Sequence, residues 1–350
     1  MSAAGTWWPA SVRVNAMDKH FIIQHLTELT AAFGCSGREQ ETALLVQRLL
    51  PDWIDARDVR TDPLGNVIVC LGRASGRRIM FDAHMDNIGF SLTDTRNEGQ
   101  LRFRAVGFVM PPSLPGTQVV FENGRTGRIY ADDNAKEGPL LTLNHLYIAP
   151  DPGAASLRVG DMCRYAPHLS LDGELIRAAC LDNRAGCMAL LLAMQELRDI
   201  ENEVYCVFSV QEEIGMRGAS RAADSIRPDL ALVVDLGVAS DPQNHTMNPQ
   251  IHLGGGVIEK VMDDSIICHR DALAWLERSA ERAGVPLMPL VGGAGYTNAG
   301  GIHTAGSGIP TAIAAIAARG IHTPCETIDI NDLTACARIL VCSAKEWDFL

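Results

Sequence analysis

The sequence has few of the features that mark membrane, secreted or nucleic-acid-binding proteins. Its apolar runs, such as residues 188–194, are far shorter than the roughly 20 residues that a membrane-spanning helix needs. No basic region followed by an apolar stretch opens the chain, so we expect no secretory signal. The 30 Lys and Arg are outnumbered by 42 Asp and Glu, and a net charge of −12 has the wrong sign for binding phosphates. We therefore expect neither a membrane nor a nucleic-acid partner.

The cysteines lack the spacing of a zinc ribbon or a dithiol redox motif. Ten are present, but no two are spaced as C-x-x-C, and most lie inside apolar runs, as Cys70, Cys206 and Cys342 do. Buried free thiols of this kind are typical of proteins in a reducing compartment. We therefore expect a cytoplasmic location.

The order of secondary-structure patterns predicts an α/β fold with an insertion. Apolar residues make up 47% of the chain and charged residues 21%, as in ordinary soluble globular proteins. Helical and buried-strand patterns alternate towards both ends of the sequence, which predicts a mixed sheet with helices on both faces. From 88 to 172, short β-like runs alternate with Gly, Pro and Asn turns instead. We predict a discontinuous α/β domain, residues 1–87 and 173–350, and an inserted small all-β domain, residues 88–172.

Individual elements follow from the spacing of apolar and turn-forming residues. The segment Ser36-Gly37-Arg38-Glu39 predicts a capping box, in which the Ser and Glu side chains satisfy the first backbone N–H groups of the second helix. The spacing predicts helices near residues 17–33, 37–50, 184–197, 217–225, 270–283 and 332–340. It predicts buried strands at residues 67–71, 79–83, 204–210, 230–235 and 311–317.

Acidic and histidine side chains follow the carboxyl ends of the predicted strands, and one more carboxylate stands just before the helix at 184–197. In an open α/β sheet, ligands bind in the crevice beyond these strand ends. Each residue alone has an ordinary structural explanation, such as helix capping by an Asp or a hydrogen-bonded His in the core. The residues concerned are His84, Asp86, Asp182, Glu212, Glu213, Asp235 and His322.

The convergence of these side chains in one crevice indicates a metal site. Burying several carboxylates together without a cation costs many kcal/mol or forces them to take up protons. Two divalent cations remove that cost. A set of two His and several Asp or Glu suits zinc, cobalt or manganese, because imidazole favours the later transition metals and carboxylate the harder ones.

At these residues the sequence resembles the tetrahedral aminopeptidases, metallopeptidase family 42, which include glutamyl and deblocking aminopeptidases. The resemblance covers nearly the whole chain after residue 20, and the motifs keep the family's order. Each motif alone is weak, but together they are very specific. The matching segments are AHMD at 83–86, LDNRAG at 181–186, VQEEIGMRGA at 210–219, VVD at 233–235, Gly292-Gly293, and Arg319 with HTP at 322–324.

The resemblance implies a zinc-exopeptidase-like fold that holds two divalent metal ions per subunit, with zinc expected and cobalt or manganese as alternatives. Asp182 is expected to bridge both metals. His84 with either Glu213 or Asp235 would complete one metal site, and His322 with the remaining carboxylate would complete the other. Which of the two carboxylates serves which metal stays open at this stage.

The resemblance also implies two catalytic residues, Asp86 and Glu212. Asp86 would hydrogen-bond the far ring nitrogen of His84 and so fix its tautomer. Glu212 would be the general base that takes a proton from a water shared by the metals. A cis peptide between Asp182 and Asn183 is also expected. The implied activity is removal of the N-terminal residue from short peptides.

Other functions share part of this pattern. A related two-metal amidohydrolase, a deacylase or carboxypeptidase acting on a non-peptide amide, would use the same ligand set. A glycosidase needs two carboxylates across a sugar and no obligatory metal. A non-catalytic, metal-stabilised assembly protein would have no use for Glu212 beside the ligands, so the presence of that residue favours an enzyme.

The sequence departs from the family pattern at three positions. Asn87, Asn298 and Gly320 stand where the family commonly has Glu, Asp and an aromatic residue. We expect these positions to lie close to the substrate pocket and to alter the preferred N-terminal residue.

The insert at residues 88–172 resembles the family's barrel-like assembly domain. Relatives use that domain to build dimers and twelve-subunit tetrahedra with enclosed sites. We therefore expect a homo-oligomer, from a dimer up to a tetrahedral dodecamer, whose enclosure limits substrates to short peptides. The alternative is a rim that shapes only the local pocket.

Overall fold

The computed structural model describes residues 18–72, 77–97, 99–133, 135, 140–153, 156–240, 250–292 and 295–345. Position 17, the predicted start of the first helix, and Gly293 of the Gly-Gly motif lie outside these ranges. The helices are α1 (Lys19–Ala31), α2 (Gln40–Arg48), α3 (Leu181–Gln195), α4 (Arg217–Ile226), α5 (Arg270–Ala283), α6 (Asn298–Ile302) and α7 (Ile330–Lys345). The strands are β1 (Val59–Thr61), β2 (Val67–Leu71), β3 (Arg78–His84), β4 (Gly89–Asp94), β5 (Arg102–Val106), β6 (Gln118–Phe121), β7 (Thr126–Ala131), β8 (Leu146–Pro150), β9 (Met162–Tyr165), β10 (Leu169–Asp172), β11 (Leu175–Ala178), β12 (Glu203–Ser209), β13 (Leu230–Val238), β14 (Val257–Met262), β15 (Leu287–Val291), β16 (Thr311–Arg319) and β17 (Glu326–Asp329).

A mixed sheet, eleven-stranded over the described residues, forms the larger part of the molecule. Its strands run in the order β1-β2-β12-β3-β13-β16-β17-β11-β10, and β14 pairs with β16 and β15. The four central strands, β12, β3, β13 and β16, are parallel to one another. Their carboxyl ends therefore meet at one end of the sheet, which is where an open α/β sheet places its ligand crevice.

Helices cover both faces of this sheet, so the predicted fold class is confirmed. Side chains of a strand alternate between faces, and Val67 and Val69 of β2 join one apolar core while Ile68 joins the other. The first core includes residues of α1, α2, α3, α5 and α7, and the second includes residues of α4 and α6. Every residue of α3 up to Met194 is buried, as expected of a helix that lies between the sheet, α1 and α7 and is apolar on all sides from Ala185 onwards.

Strands β4 to β9 form a second, antiparallel sheet with its own core. The strand order is β5-β4-β9-β6-β7-β8, and a bridge between Leu101 and Ile148, with reciprocal backbone hydrogen bonds of 2.9 Å, closes the sheet into a barrel. Phe90 lies at the centre of the barrel core, edge-to-face against Phe103 and Tyr165. Strand β10 falls within the predicted insert, 88–172, but pairs with β11 in the larger sheet. The division into domains at those boundaries stays a prediction.

The helices and strands named from the sequence are confirmed, with ends that shift by a few residues. Strands β1, β11, β14, β15 and β17 and helix α6 were not predicted, and β4, β8, β9 and β10 within the insert were not identified individually. Glu259 and Lys260 interrupt the apolar pattern of β14, Pro289 interrupts that of β15, and two glycines weaken the helical signal of α6. No helix in the described ranges is both long and apolar enough to cross a bilayer.

The capping box predicted at residues 36–39 is wrong. Helix α2 begins at Gln40, and Glu39 at its N-cap makes no side-chain cap hydrogen bond. The Ser36 hydroxyl donates to Asp86, and the Glu39 carboxylate accepts from the backbone N–H groups of Gly37 and Gln211. Both side chains therefore serve contacts that are distant in sequence.

We expect Phe90→Ala to lower the free energy of unfolding by about 3–5 kcal/mol, because it leaves a cavity at the centre of the barrel core. Phe108→Ala is the matched control, since Phe108 is 66% exposed and its removal should change stability by less than about 0.5 kcal/mol. Denaturant unfolding of both variants measures the difference. Equal losses would contradict the assigned barrel core.

Candidate metal and catalytic site

The predicted site residues gather beyond the carboxyl ends of the parallel strands. His84 ends β3, directly opposite Ser209 at the end of β12. Asp235 lies near the end of β13, and His322 follows β16 after a short turn. Glu212 and Glu213 lie in the loop between β12 and α4. The parallel arrangement of the central strands thus brings side chains from distant parts of the sequence to one cleft.

All five predicted ligands lie close together, in two overlapping groups. In the first, His84 Nε2 is 3.2 Å from Asp182 Oδ1 and 3.7 Å from Asp235 Oδ1. In the second, His322 Nε2 is 3.5 Å from Asp182 Oδ2 and 3.2 Å from Glu213 Oε2. Within each group the ligand atoms all lie within 4.8 Å of one another. Asp182 therefore offers one carboxylate oxygen to each group.

A sharp turn before the regular part of α3 carries the shared carboxylate. Cys180 is left-handed, with φ 62°, the Asp182–Asn183 peptide is cis, and both residues of that peptide have non-helical dihedral angles. The Asn183 side chain secures the turn by donating to the Val234 carbonyl at 2.8 Å and accepting from the Gly186 N–H at 3.0 Å. The cis peptide expected from the resemblance is present.

Glu326, in β17, was not predicted as a site residue, yet it ties together two of the ligand-bearing segments. It is 2% exposed, and its two carboxylate oxygens accept the backbone N–H groups of Asp182 at 2.9 Å and His322 at 2.8 Å. Burial raises the pKa of Glu326 to about 8, and the negative charge of Asp182 adds to the rise. The only sequence signal was an acid shortly after His322, in a strand too short to recognise.

Asp86 contacts both the histidine and the loop that carries the two glutamates. His84 Nδ1 lies 3.2 Å from the main-chain carbonyl of Asp86 and 3.5 Å from its carboxylate Oδ1. The main-chain oxygen is thus the nearer partner, where the sequence predicted the carboxylate. The carboxylate itself accepts the Ser36 hydroxyl at 2.6 Å and the backbone N–H groups of Glu212 at 2.9 Å and Glu213 at 3.2 Å.

The cleft holds more negative charge than its own side chains neutralise. Burial raises the pKa of Glu212 well above its usual value; His84 opposes the rise, and Asp235 adds to it. Burial also raises the pKa of Glu213 to about 7, against the hydrogen bond with His322. Asp182 Oδ1 and Glu213 Oε1 are buried and have no hydrogen-bond partner in the described part of the chain. Unpartnered carboxylate oxygens beside two imidazoles suit divalent cations.

Two of the three departures from the family pattern lie beneath the site, not at its surface. Asn87 is 1% exposed, and its side-chain carbonyl accepts from the buried guanidinium of Arg184 at 3.0 Å. Asn298 is fully buried and donates to Asp82 at 2.7 Å and Ser209 at 2.8 Å. Both side chains are therefore buried close to the cleft, and their expected effect on the preferred N-terminal residue stays a prediction.

The barrel supplies one wall of the cleft. Gly107, just after β5, has a φ of 82°, and a Cβ at this position would lie 2.6 Å from Ile88 and 3.3 Å from Glu213. A side chain here would collide with Ile88 and crowd Glu213. Glycine therefore allows the backbone to approach the ligand group closely. The next residue, Phe108, is 66% exposed, and its ring centroid lies 6.3 Å from that of His322.

Comparisons with known proteins agree with this architecture. A model of the M42 glutamyl aminopeptidase family matches residues 65–339. A relative from Acetivibrio thermocellus is 36% identical over 333 residues, which cover 93% of this chain and 99% of the relative. The glutamyl aminopeptidase of Lactococcus lactis subsp. cremoris is 27% identical over 340 residues, which cover 89% and 91% of the two chains.

A solved structure shares the fold over almost its whole length. An aminopeptidase from the archaeon Desulfurococcus kamchatkensis superposes with a TM-score of 0.86 at 30% identity, covering 93% of this chain and 95% of its own. Since the family model and a relative above 30% identity both span most of the sequence, the chain belongs to the M42 family of metallopeptidases and is an aminopeptidase, a hydrolase of peptide bonds.

Proposed function

We propose that this chain uses two divalent metal ions to remove the N-terminal residue from short peptides. The observation that carries the proposal is the position of Asp182, which offers one oxygen to each of two His-carboxylate groups. The geometry favours Asp235 as the partner of His84 and Glu213 as the partner of His322. Zinc fits this donor set, with cobalt or manganese as alternatives.

When bound, such cations lower the pKa of a water molecule towards 7 and polarise the scissile carbonyl group. Glu212 then acts as the general base: its carboxylate takes a proton from the attacking water and later gives it to the leaving amine. Its 9% exposure and the negative charges around it favour a carboxylate that takes up a proton readily. Asp86 holds the backbone N–H of Glu212 and so orients the base.

We also propose that the chain forms a homo-oligomer through the barrel, within residues 88–172, with the α/β part, residues 1–87 and 173–350, as the catalytic domain. The TET1 peptidase of Pyrococcus horikoshii, 30% identical to this chain with a TM-score of 0.81, assembles into a tetrahedron or an octahedral shell. Tyr130 and Val159 expose apolar surface on the barrel. A cytoplasmic location suits the cysteines, all ten of which are free.

We expect EDTA to abolish the release of nitroaniline from aminoacyl-nitroanilides, and added zinc, cobalt or manganese to restore it. N-acyl amino acids should not be cleaved, because the proposed enzyme acts on a free N-terminus. A metal-supplemented screen of both substrate classes measures this. Cleavage of N-acyl substrates alone would point instead to a deacylase or carboxypeptidase.

We expect Glu212→Gln to retain both metal ions and lose roughly 10²–10⁴ in kcat, because the proton acceptor is removed while the ligands remain. Glu213→Gln, the neighbouring variant, should instead lower the metal content. Steady-state kinetics and metal analysis of the dialysed proteins separate the two effects. Normal turnover by fully metallated Glu212→Gln would remove this residue from the mechanism.

Sedimentation at low protein concentration should give a mass several times the 37.8 kDa of one chain. The expected species is a dimer or a larger multiple up to twelve subunits. A monomer at concentrations that support full activity would refute the assembly proposal and leave the barrel as a wall of the local pocket.

A further inference from the structure

Three consecutive backbone N–H groups in the loop after β12 point at carboxylates. The N–H of Gln211 donates to Glu39 Oε1 at 3.2 Å. The N–H groups of Glu212 and Glu213 donate to the two oxygens of Asp86, at 2.9 and 3.2 Å. The loop that carries the proposed base and a proposed ligand is thus held from outside, by two acids that belong to other parts of the chain.

Glu39 reaches this loop because its segment is fixed beside β3. The Asn87 N–H donates to the Gly34 carbonyl at 2.9 Å, and Ser36 Oγ donates to the carboxylate of Asp86 at 2.6 Å. A turn with Gly37 at φ 83° then brings Glu39 back towards Gln211. Ser36 and Glu39, which resemble a helix cap in the sequence, therefore both support this loop, Ser36 through Asp86 and Glu39 directly.

The local conformation of the loop has an energetic cost that an external hydrogen bond can offset. Gln211 has a φ of 58°, a left-handed conformation that residues with a Cβ adopt at an energetic cost. Its dihedral angles set the direction in which the following residue, Glu212, leaves the strand. Glu39 is 4% exposed, and its Oε1 accepts both the Gly37 N–H at 2.7 Å and the Gln211 N–H. Burying a carboxylate costs free energy unless hydrogen-bond donors compensate it, so these two N–H groups help to hold Glu39 in this place.

We propose that Glu39 is a positioning residue for the general base. By accepting the Gln211 N–H, it fixes the left-handed backbone at that residue and with it the direction in which the Glu212 carboxylate enters the cleft. The inference rests on the proposed role of Glu212. The competing explanation is that Glu39 only stabilises the start of α2.

The test uses the fact that both N–H donors share one oxygen of Glu39. Glu39→Gln keeps an oxygen at that place, whereas Glu39→Ala removes it. We expect Glu39→Ala to lose about 10- to 100-fold in kcat with KM within about threefold, as small misplacements of a catalytic group do. Glu39→Gln should stay within about threefold of the parent kcat. Glu41→Ala, an exposed glutamate on the first turn of α2, is the control and should be unchanged.

Hydrogen exchange in the full-length protein as purified, with equal metal content in all variants, provides a measurement independent of catalysis. In Glu39→Ala, amides of residues 210–216 should exchange at least tenfold faster, while those of α3 stay as in the parent. If Glu39→Ala does not fold, Glu39→Met keeps the side-chain length with only a weak acceptor and makes the same comparison.

Three results would overturn the positioning role. They are unchanged exchange at residues 210–216, equal kcat losses in the Ala and Gln variants, and faster exchange spread evenly over the whole molecule. Full turnover by Glu212→Gln would instead refute the proposed base. The exchange result does not depend on that assignment, so failure of the inference and failure of the proposed function are distinguishable.

Discussion

The crowding of carboxylates at one end of the sheet is the constraint on which the site depends. Asp182, Glu213 and Asp235 are brought within reach of two histidines, in surroundings that raise the pKa of Glu213 and Asp235 by burial. Such a cluster needs either positive charge among its oxygens or the uptake of protons. Asp182 belongs to both groups of candidate ligands, so positive charge is needed at two neighbouring positions. This is the arrangement expected of a pair of cations.

A second set of acids, Glu326 and Asp86, holds the backbone of the cleft, which leaves the side chains of the first set available to the cleft. Glu326 accepts the backbone N–H groups of Asp182 and His322, and Asp86 accepts those of Glu212 and Glu213. Each outer carboxylate thus fixes the backbone of two residues of the cleft. The side chains of those residues are not needed to hold the backbone in place. The precision of the cleft comes from these buried hydrogen bonds, because loop backbone alone would not hold the side chains in place.

The sequence predicted the central strands and identified the candidate ligands that the fold brings together, because both leave strong local signals. Buried parallel strands are nearly continuous apolar runs, and the polar residues that follow them, such as Asp235 and His322, stand out. Short strands such as β17 carry no such signal, so Glu326 was missed. The contacts of Glu39, Asn87 and Asn298 could not be predicted, since each depends on which distant segment packs beside it. The local motif at residues 36–39 suggested a helix cap, but Ser36 instead donates its hydroxyl to Asp86, a residue distant in sequence.

The bridge between Leu101 and Ile148 has a consequence for how this protein meets other molecules. An open sheet presents unpaired strands at its margins, and these invite another chain to add a strand through main-chain hydrogen bonds. In the described part of the barrel, the margins of the sheet, at β5 and β8, meet instead at the Leu101–Ile148 bridge. This bridge leaves less free strand edge for such pairing, so we expect contacts made by the barrel to rely mainly on side chains and turns. Contacts through side chains favour specific partners, because each contact depends on residue identity. A sheet with little free edge is also less prone to aggregate by adding strands.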